Sequence, residues 1–157
     1  MQIHFIPYDQ TFVDALRAGG TDAYGLKAEH TVSDGAGNPC RSCLCNIPKG
    51  AAMLICAGRP FGGVQPYAET GPIFLCGDAC TPWSGTRVPA VLTTSPDYLL
   101  KAYSAEERII YGTGQITLAG DISAVAAGLL ERSDVAFVDV RSARNNCFQT
   151  RVKRVSG

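Results

Sequence analysis

Four cysteines of this chain have the side chains and the spacing to bind a metal ion. Six of the seven cysteines lie within residues 37–82, where Cys40 and Cys43 form a C-x2-C pair and Cys76 and Cys80 form a C-x3-C pair. Thiolates are common zinc ligands, and a tight C-x2-C turn places two of them on one side of a loop. The four cysteines are therefore candidate ligands of a structural zinc ion.

The same cysteines allow other interpretations. The second pair is spaced more widely than the usual C-x2-C, so the thiols could instead be small buried apolar groups or unpaired loop thiols. A redox site at Cys40 and Cys43 is a further alternative, with Arg41 as the cation that lowers a thiol pKa, although Pro39 and the preceding turn do not predict the helix N-terminus that such thiols use. In an exported protein the four cysteines would be disulfide candidates. The other three cysteines are attributed to structure or chance: Cys45, Cys56 and Cys147.

A second group of polar residues could bind a small anionic ligand. The loop at residues 59–70 is rich in glycine and proline and carries Arg59, Tyr67 and Glu69. Together with Arg141 and Arg144, these side chains could line a polar cleft in which the arginines bind the anion and the tyrosine ring forms a wall. The alternative is a structural salt bridge that fastens the loop to the sheet through its glutamate.

The composition excludes several classes of protein. The chain has 157 residues, of which 46% are hydrophobic and 18% charged, with 14 basic and 14 acidic side chains. These values predict one ordinary domain and argue against disorder and against a chain-wide affinity for nucleic acid or membranes. The first residues do not resemble a secretory signal, and no apolar run reaches the roughly 18 to 20 residues of a membrane span. We therefore expect a cytoplasmic protein with reduced thiols.

The elements of the first half must position the cysteines and the loop. Residues 3–6 predict a strand, and residues 11–14 have the form of a helix capping box, with apolar residues at helical spacing (Phe12, Ala15 and Leu16). Residues 25–32 alternate in polarity, which predicts a half-buried strand with His30 in the core. The apolar runs at residues 51–57 and 72–76 predict strands that are covered on both faces.

The second half adds strands and a longer helix. Residues 98–103 and 108–112 predict a hairpin, although a helix beginning near residue 97 is an alternative. Residues 121–132 carry an apolar stripe at helical spacing after Asp121, which predicts an amphipathic helix. The alternation in residues 136–141 and 147–155 predicts a terminal hairpin whose basic residues lie along its exposed face. Many strands with about two helices predict an α+β fold, a single domain with a mostly antiparallel sheet.

Several motifs resemble those of the DUF1203 family of bacterial proteins. They are P-C-R-S-C-L at residues 39–44, R-P-F at 59–61, P-Y-A-E-T-G-P-I-F at 66–74, Cys80, R-I-I-Y-G-T-G at 108–114 and V-R-S-A-R-N-N-C-F-Q-T-R-V at 140–152. The resemblance covers the chain from about Pro39 to its end and implies a single DUF1203-like domain over residues 1–157. Because the family has no assigned function, the resemblance leaves the activity open.

Two functional hypotheses follow from these residues. The first is a small binding domain with a loop-framed site near residues 40–80 and a structural zinc ion. The second is a small enzyme that uses a thiol, Cys40 or Cys43, or the group formed by Arg59, Tyr67 and Glu69. The only histidines, His4 and His30, have no nucleophile or carboxylate at a spacing typical of acid-base catalysis. The ligand, the reaction and the oligomeric state do not follow from the sequence.

Overall fold

The computed structural model describes residues 1–156, which contain eight β-strands and two α-helices. In chain order the elements are β1 (Ile3–Ile6), α1 (Gln10–Arg17), β2 (Glu29–Val32), β3 (Ala52–Gly58), β4 (Gly71–Cys76), β5 (Asp97–Tyr103), β6 (Gln115–Leu118), α2 (Ile122–Leu130), β7 (Phe137–Ser142) and β8 (Phe148–Arg154). All pairings between these strands are antiparallel, which confirms the predicted α+β class. Within the described part of the chain, neither helix has the length and apolar character that a membrane span requires.

The described residues form two compact units. One is Pro7–Trp83, and the other joins Met1–Ile6 to the chain from Ser84 onward. The second unit is thus interrupted in sequence by the first, because β1 pairs with β8 near the other end of the chain. The expectation of a single domain over residues 1–157 stays a prediction.

The unit Pro7–Trp83 is built on a three-stranded sheet in the order β2-β3-β4. The central strand β3 is mostly buried, as its apolar run predicted. The prediction that β2 is half-buried is wrong: every residue of this edge strand is exposed, including His30. Helix α1 begins at Gln10 and not at the predicted capping box, because the Asp9 side chain already accepts a hydrogen bond from the Thr11 amide. It buries Val13 and Leu16, whereas Ala15 is exposed.

The other unit contains a five-stranded sheet in the order β1-β8-β7-β5-β6. The predicted strand at residues 98–103 is confirmed as β5, so the alternative helix is wrong there. Its hairpin partner is β6 and not residues 108–112, because the chain turns at Gly112 with a φ of 89° after a single bridge between Ile109 and Tyr103. Helix α2 is confirmed, and its buried residues are Ile122, Ala126 and Leu130.

The terminal hairpin of β7 and β8 is confirmed, but its predicted exposed basic face is not. Arg141 is only 4% exposed, and Arg151 forms an ion pair with the buried Asp139 at 2.7 Å. Arg154 donates hydrogen bonds to the carbonyls of Leu130, Arg132 and Val135. The sequence pattern missed this because β7 lies between β5 and β8 and is covered on both faces, so alternation along it does not separate inside from outside.

Candidate metal centre

The first two cysteines lie in a tight turn between Pro39 and Asn46. An antiparallel bridge joins these two residues, the Cys40 amide donates to the Cys45 carbonyl at 2.9 Å, and the Leu44 amide donates to the Cys40 carbonyl at 3.0 Å. Leu44 closes the turn with a φ of 52°, in the left-handed region where glycine is usual. The turn holds Cys40 and Cys43 near each other without help from a ligand.

Backbone hydrogen bonds dock this turn on the end of β4. Cys40 forms a parallel bridge with Phe74, and the Arg41 amide donates to the Phe74 carbonyl at 3.1 Å. The Cys76 amide, at the last residue of β4, donates to Cys40 Sγ at 3.3 Å. After Cys80 the chain returns to the turn, where the amide of Trp83 donates to the carbonyl of Ser42 at 2.9 Å. The two cysteine pairs are therefore brought together by the backbone.

The four sulfur atoms lie at distances that suit a metal ion. All four Sγ atoms are within 4.8 Å of one another, and the pairs Cys40–Cys80 and Cys43–Cys76 are each 3.9 Å apart. Around a tetrahedral zinc ion with zinc–sulfur bonds of about 2.3 Å, the sulfurs would be about 3.8 Å apart. The cluster could thus hold such an ion with small adjustments, and the four residues are those that the cysteine spacing predicted.

The pKa values of Cys40, Cys43 and Cys76 depend on one another. A hydrogen bond from the Cys43 thiol lowers the pKa of Cys40 to about 4 although burial opposes this, and nearby backbone amides contribute further. The same hydrogen bond and burial raise the pKa of Cys43 far above its ordinary value. Burial also raises the pKa of Cys76 to about 12, with the charge of Cys40 adding to the effect. Ionisation of Cys43 or Cys76 beside the Cys40 thiolate is therefore disfavoured unless a cation enters the cluster.

Helix α1 contacts both ends of the cluster. At its start, the Gln10 side chain forms hydrogen bonds with the Ser42 hydroxyl, between Cys40 and Cys43. At its end, Arg17 donates from Nη2 to Cys80 Sγ and from Nε to the Cys76 carbonyl, both at 3.1 Å. Sequence reasoning missed Arg17, because a basic residue in the last turn of a helix is ordinarily explained by the helix dipole.

The cation that the sequence suggested for a redox site has a different position. Arg41 is buried, lies 5.7 Å from the centre of the Phe74 ring and donates to the Pro39 carbonyl at 2.8 Å. Cys40, the thiol with the lowered pKa, is 0% exposed, whereas a reactive thiolate must be reached by its substrate. Cys43, Cys76 and Cys80 are half-buried. This arrangement favours a ligand role over a nucleophilic one.

The five residues predicted to bind an anion are divided between the two units. Arg59, Tyr67 and Glu69 follow β3 in the unit Pro7–Trp83, where the Tyr67 amide donates to the Gln65 side chain at 2.8 Å. Arg59 Nε is buried and meets no hydrogen-bond acceptor among the described residues.

Arg141 and Arg144 belong to the other unit. Arg141 donates to the Asn146 carbonyl at 3.0 Å, and Arg144 forms an ion pair with Asp97 at 2.8 Å. That the five residues form one anion site stays a prediction.

Comparisons with known proteins give a family but no function. The sequence profile of the family described as "Protein of unknown function (DUF1203)" matches residues 37–154, which include all four cysteines of the cluster. No curated protein and no solved structure matches the chain. Strand β1, helix α1 and strand β2 lie outside the matched residues.

Proposed function

The chain belongs to the DUF1203 family, and we propose that it is a small binding domain in which Cys40, Cys43, Cys76 and Cys80 hold a structural zinc ion. The observation that carries this proposal is the spacing of the four Sγ atoms, which come from segments 33 to 40 residues apart and lie within 4.8 Å of one another. Four thiolate ligands complete a tetrahedral shell, so no coordination position would be open to a substrate.

The role of the ion would be to fasten three segments together. It would join the turn at residues 39–46 to the end of β4 and to the segment that contains Cys80. The loop at residues 59–70 lies between β3 and β4, so the same ion would hold the base of that loop. Because zinc thiolate sites require reduced cysteines, we expect the protein in a reducing compartment such as the cytoplasm.

The experiment is metal analysis of protein purified without chelators, combined with alkylation of the thiols and mass mapping. We expect one zinc ion per chain and protection of the four cluster cysteines until a chelator is added. Cys43→Ser should lose the metal, whereas Cys45→Ser should keep it, because Cys45 is exposed and lies outside the cluster. Metal-free protein in which all four thiols react freely would contradict the proposal.

The intrinsic fluorescence of the protein offers a second measurement. Trp83 is the only tryptophan, and its backbone amide donates a hydrogen bond to the carbonyl of Ser42, in the turn that contains Cys40 and Cys43. Removal of the ion should loosen that bond and change the emission of Trp83, and restoring zinc should reverse the change.

The second candidate function is the binding of a small anion at the loop. It is supported by Arg59, whose buried Nε lacks an acceptor among residues 1–156. A guanidinium nitrogen in this state is a ready donor to a carboxylate or phosphate. Inorganic phosphate should then raise the melting temperature of the wild type but not of Arg59→Met, with the exposed Arg87→Met as the matched control. Equal effects of phosphate on all three proteins would exclude the site.

A further inference from the structure

The guanidinium of Arg17 links the two residues of the second cysteine pair. It donates from Nη2 to Cys80 Sγ and from Nε to the Cys76 carbonyl, both at 3.1 Å. A single planar side chain is thereby hydrogen-bonded to the last residue of β4 and to the Sγ atom of Cys80, four residues later. This two-point contact is a geometry that arginine provides and lysine does not.

Helix capping does not explain this contact. Three carbonyls in the last turn of α1 already accept hydrogen bonds from backbone amides: Ala18 donates to Asp14, Gly19 to Leu16 and Gly20 to Ala15. The donors of Arg17 are directed instead at Cys76 and Cys80, about 60 residues away along the chain.

Cys80 is the cluster residue with the least regular surroundings. Cys40 and Cys43 lie in a hydrogen-bonded turn, and Cys76 ends a strand, but Cys80 lies in an irregular segment between Gly77 and Trp83. A ligand on such a segment loses more conformational entropy when it is held in place, so it should be the first to leave a metal ion. The hydrogen bond from Arg17 restrains this ligand.

The charge of the cluster requires a compensating group. Four thiolates around one divalent ion leave roughly two negative charges uncompensated, which is costly at a site that is partly removed from water. The Cys76 amide donates to Cys40 Sγ at 3.3 Å, and Arg17 brings a full positive charge to Cys80 Sγ. Outer hydrogen bonds of this kind commonly change metal affinity by about 10- to 100-fold.

We propose that Arg17 is a positioning residue of the zinc centre, which retains the ion by restraining Cys80 and by compensating the charge of its thiolate. This inference rests on the proposed zinc site and adds to it a residue from a helix that precedes the family-matched region.

The test compares full-length wild type with Arg17→Met, Arg17→Lys and Arg132→Met. Arg132 is the matched control, since its side chain is 49% exposed and forms a surface ion pair with Asp134 at 2.8 Å. We measure the zinc dissociation constant by chelator competition and the alkylation of each cysteine in the zinc-loaded protein. Arg17→Met should weaken zinc binding about 10- to 100-fold and make Cys80 the first cysteine to be alkylated. Arg132→Met should match the wild type in both measurements.

The variants also separate the two proposals. A wild type that binds no metal overturns both of them. A wild type that binds zinc, together with an Arg17→Met protein of equal affinity and unchanged Cys80 labelling, overturns the role of Arg17 alone. If Arg17→Met does not fold, the Arg17→Lys protein provides the test. The lysine ammonium group keeps the positive charge but cannot form hydrogen bonds with both Cys80 and Cys76. Alkylation of Cys80 before the other cysteines in this variant supports the proposal, and alkylation in the same order as in the wild type contradicts it.

Discussion

At the scale of single residues, the free energy gained by burying the Leu44 side chain outweighs the strain in its backbone. Its φ of 52° is costly for a residue with a Cβ atom, by about 1 to 2 kcal/mol. Its side chain, however, is 0% exposed, and burying a leucine contributes about 1.5 to 3 kcal/mol. The turn that carries Cys40 and Cys43 is thus stabilised by a packed leucine where a glycine would be the ordinary choice.

We predict that Leu44→Gly destabilises the protein although it removes the strain. The loss of a buried leucine side chain costs about 2 to 5 kcal/mol, and the relief of strain returns about 1 to 2 kcal/mol, so the middle of both ranges predicts that the free energy of unfolding falls by about 2 kcal/mol. Urea denaturation measures the change. Asn146→Gly is the control, because Asn146 also has a positive φ but is exposed, and it should change stability by about 0.5 kcal/mol or less. A stabilised Leu44→Gly protein would contradict the prediction.

Asp22 links a turn to the end of β3 and should make stability depend on pH. Burial acts to raise the pKa of its carboxyl, but hydrogen bonds from the amides of Ala57, Leu26 and Tyr24 together lower it below its ordinary value. Because the folded-state pKa lies below the unfolded value of about 3.9, the carboxylate stabilises the fold above about pH 4, and this contribution is lost as pH falls through the folded-state pKa.

Asp22→Asn should therefore be less stable than the wild type at pH 7, and the difference should shrink below about pH 4. Thermal unfolding at a series of pH values measures both effects. Asp121→Asn is the control, because Asp121 is exposed and makes no side-chain cap bond. A difference between Asp22→Asn and the wild type that stays constant from pH 7 to pH 3 would contradict the assignment.

At the scale of elements, the β7–β8 hairpin depends on a buried ion pair. Arg151 bonds both carboxylate oxygens of Asp139, at 2.7 and 3.0 Å, and its guanidinium lies 3.6 Å from the centre of the Phe137 ring. Asp139 is 0% exposed, and burial raises the pKa of its carboxyl while Arg151 opposes that rise. Removing one partner of such a pair leaves a buried group without compensation.

Arg151→Met should lower the free energy of unfolding by about 3 to 5 kcal/mol. Arg144→Met, which removes the exposed partner of Asp97, should cost about 1 kcal/mol or less. Chemical denaturation of the two variants under the same conditions measures the contrast. Equal losses of stability in the two variants would show that burial of the Asp139–Arg151 pair does not increase the cost of removing its arginine.

At the scale of the whole molecule, the family-matched residues 37–154 omit three elements of the described structure, β1, α1 and the edge strand β2, which pairs with β3. Strand β1 pairs with β8 and buries Ile3 and Phe5, and α1 contacts both ends of the cysteine cluster. A fragment of residues 37–154 should therefore lack cooperative unfolding, or should unfold at a lower denaturant concentration than the full chain. Circular dichroism during urea denaturation makes the comparison, and a fragment as stable as the full chain would contradict the prediction.

The sequence alone predicted the fold class, most of the strands and the four clustered cysteines. These depend on local information: apolar runs, helical spacing and the short distances along the chain between the members of each cysteine pair. It also predicted the loop between β3 and β4, because glycine and proline exclude regular structure there.

Only the tertiary structure decided how these parts meet. It brought Cys40 to within 3.9 Å of Cys80, placed Arg17 against that thiol and buried Arg141 and Asp139 in a strand whose alternation predicted one exposed face. The physical reason is that contacts between residues tens of positions apart depend on strand order and docking, which leave no periodic pattern in the chain. The type of candidate metal ligand was therefore determined by the sequence, and the geometry of the cysteine cluster and its contacts with Arg17 by the fold.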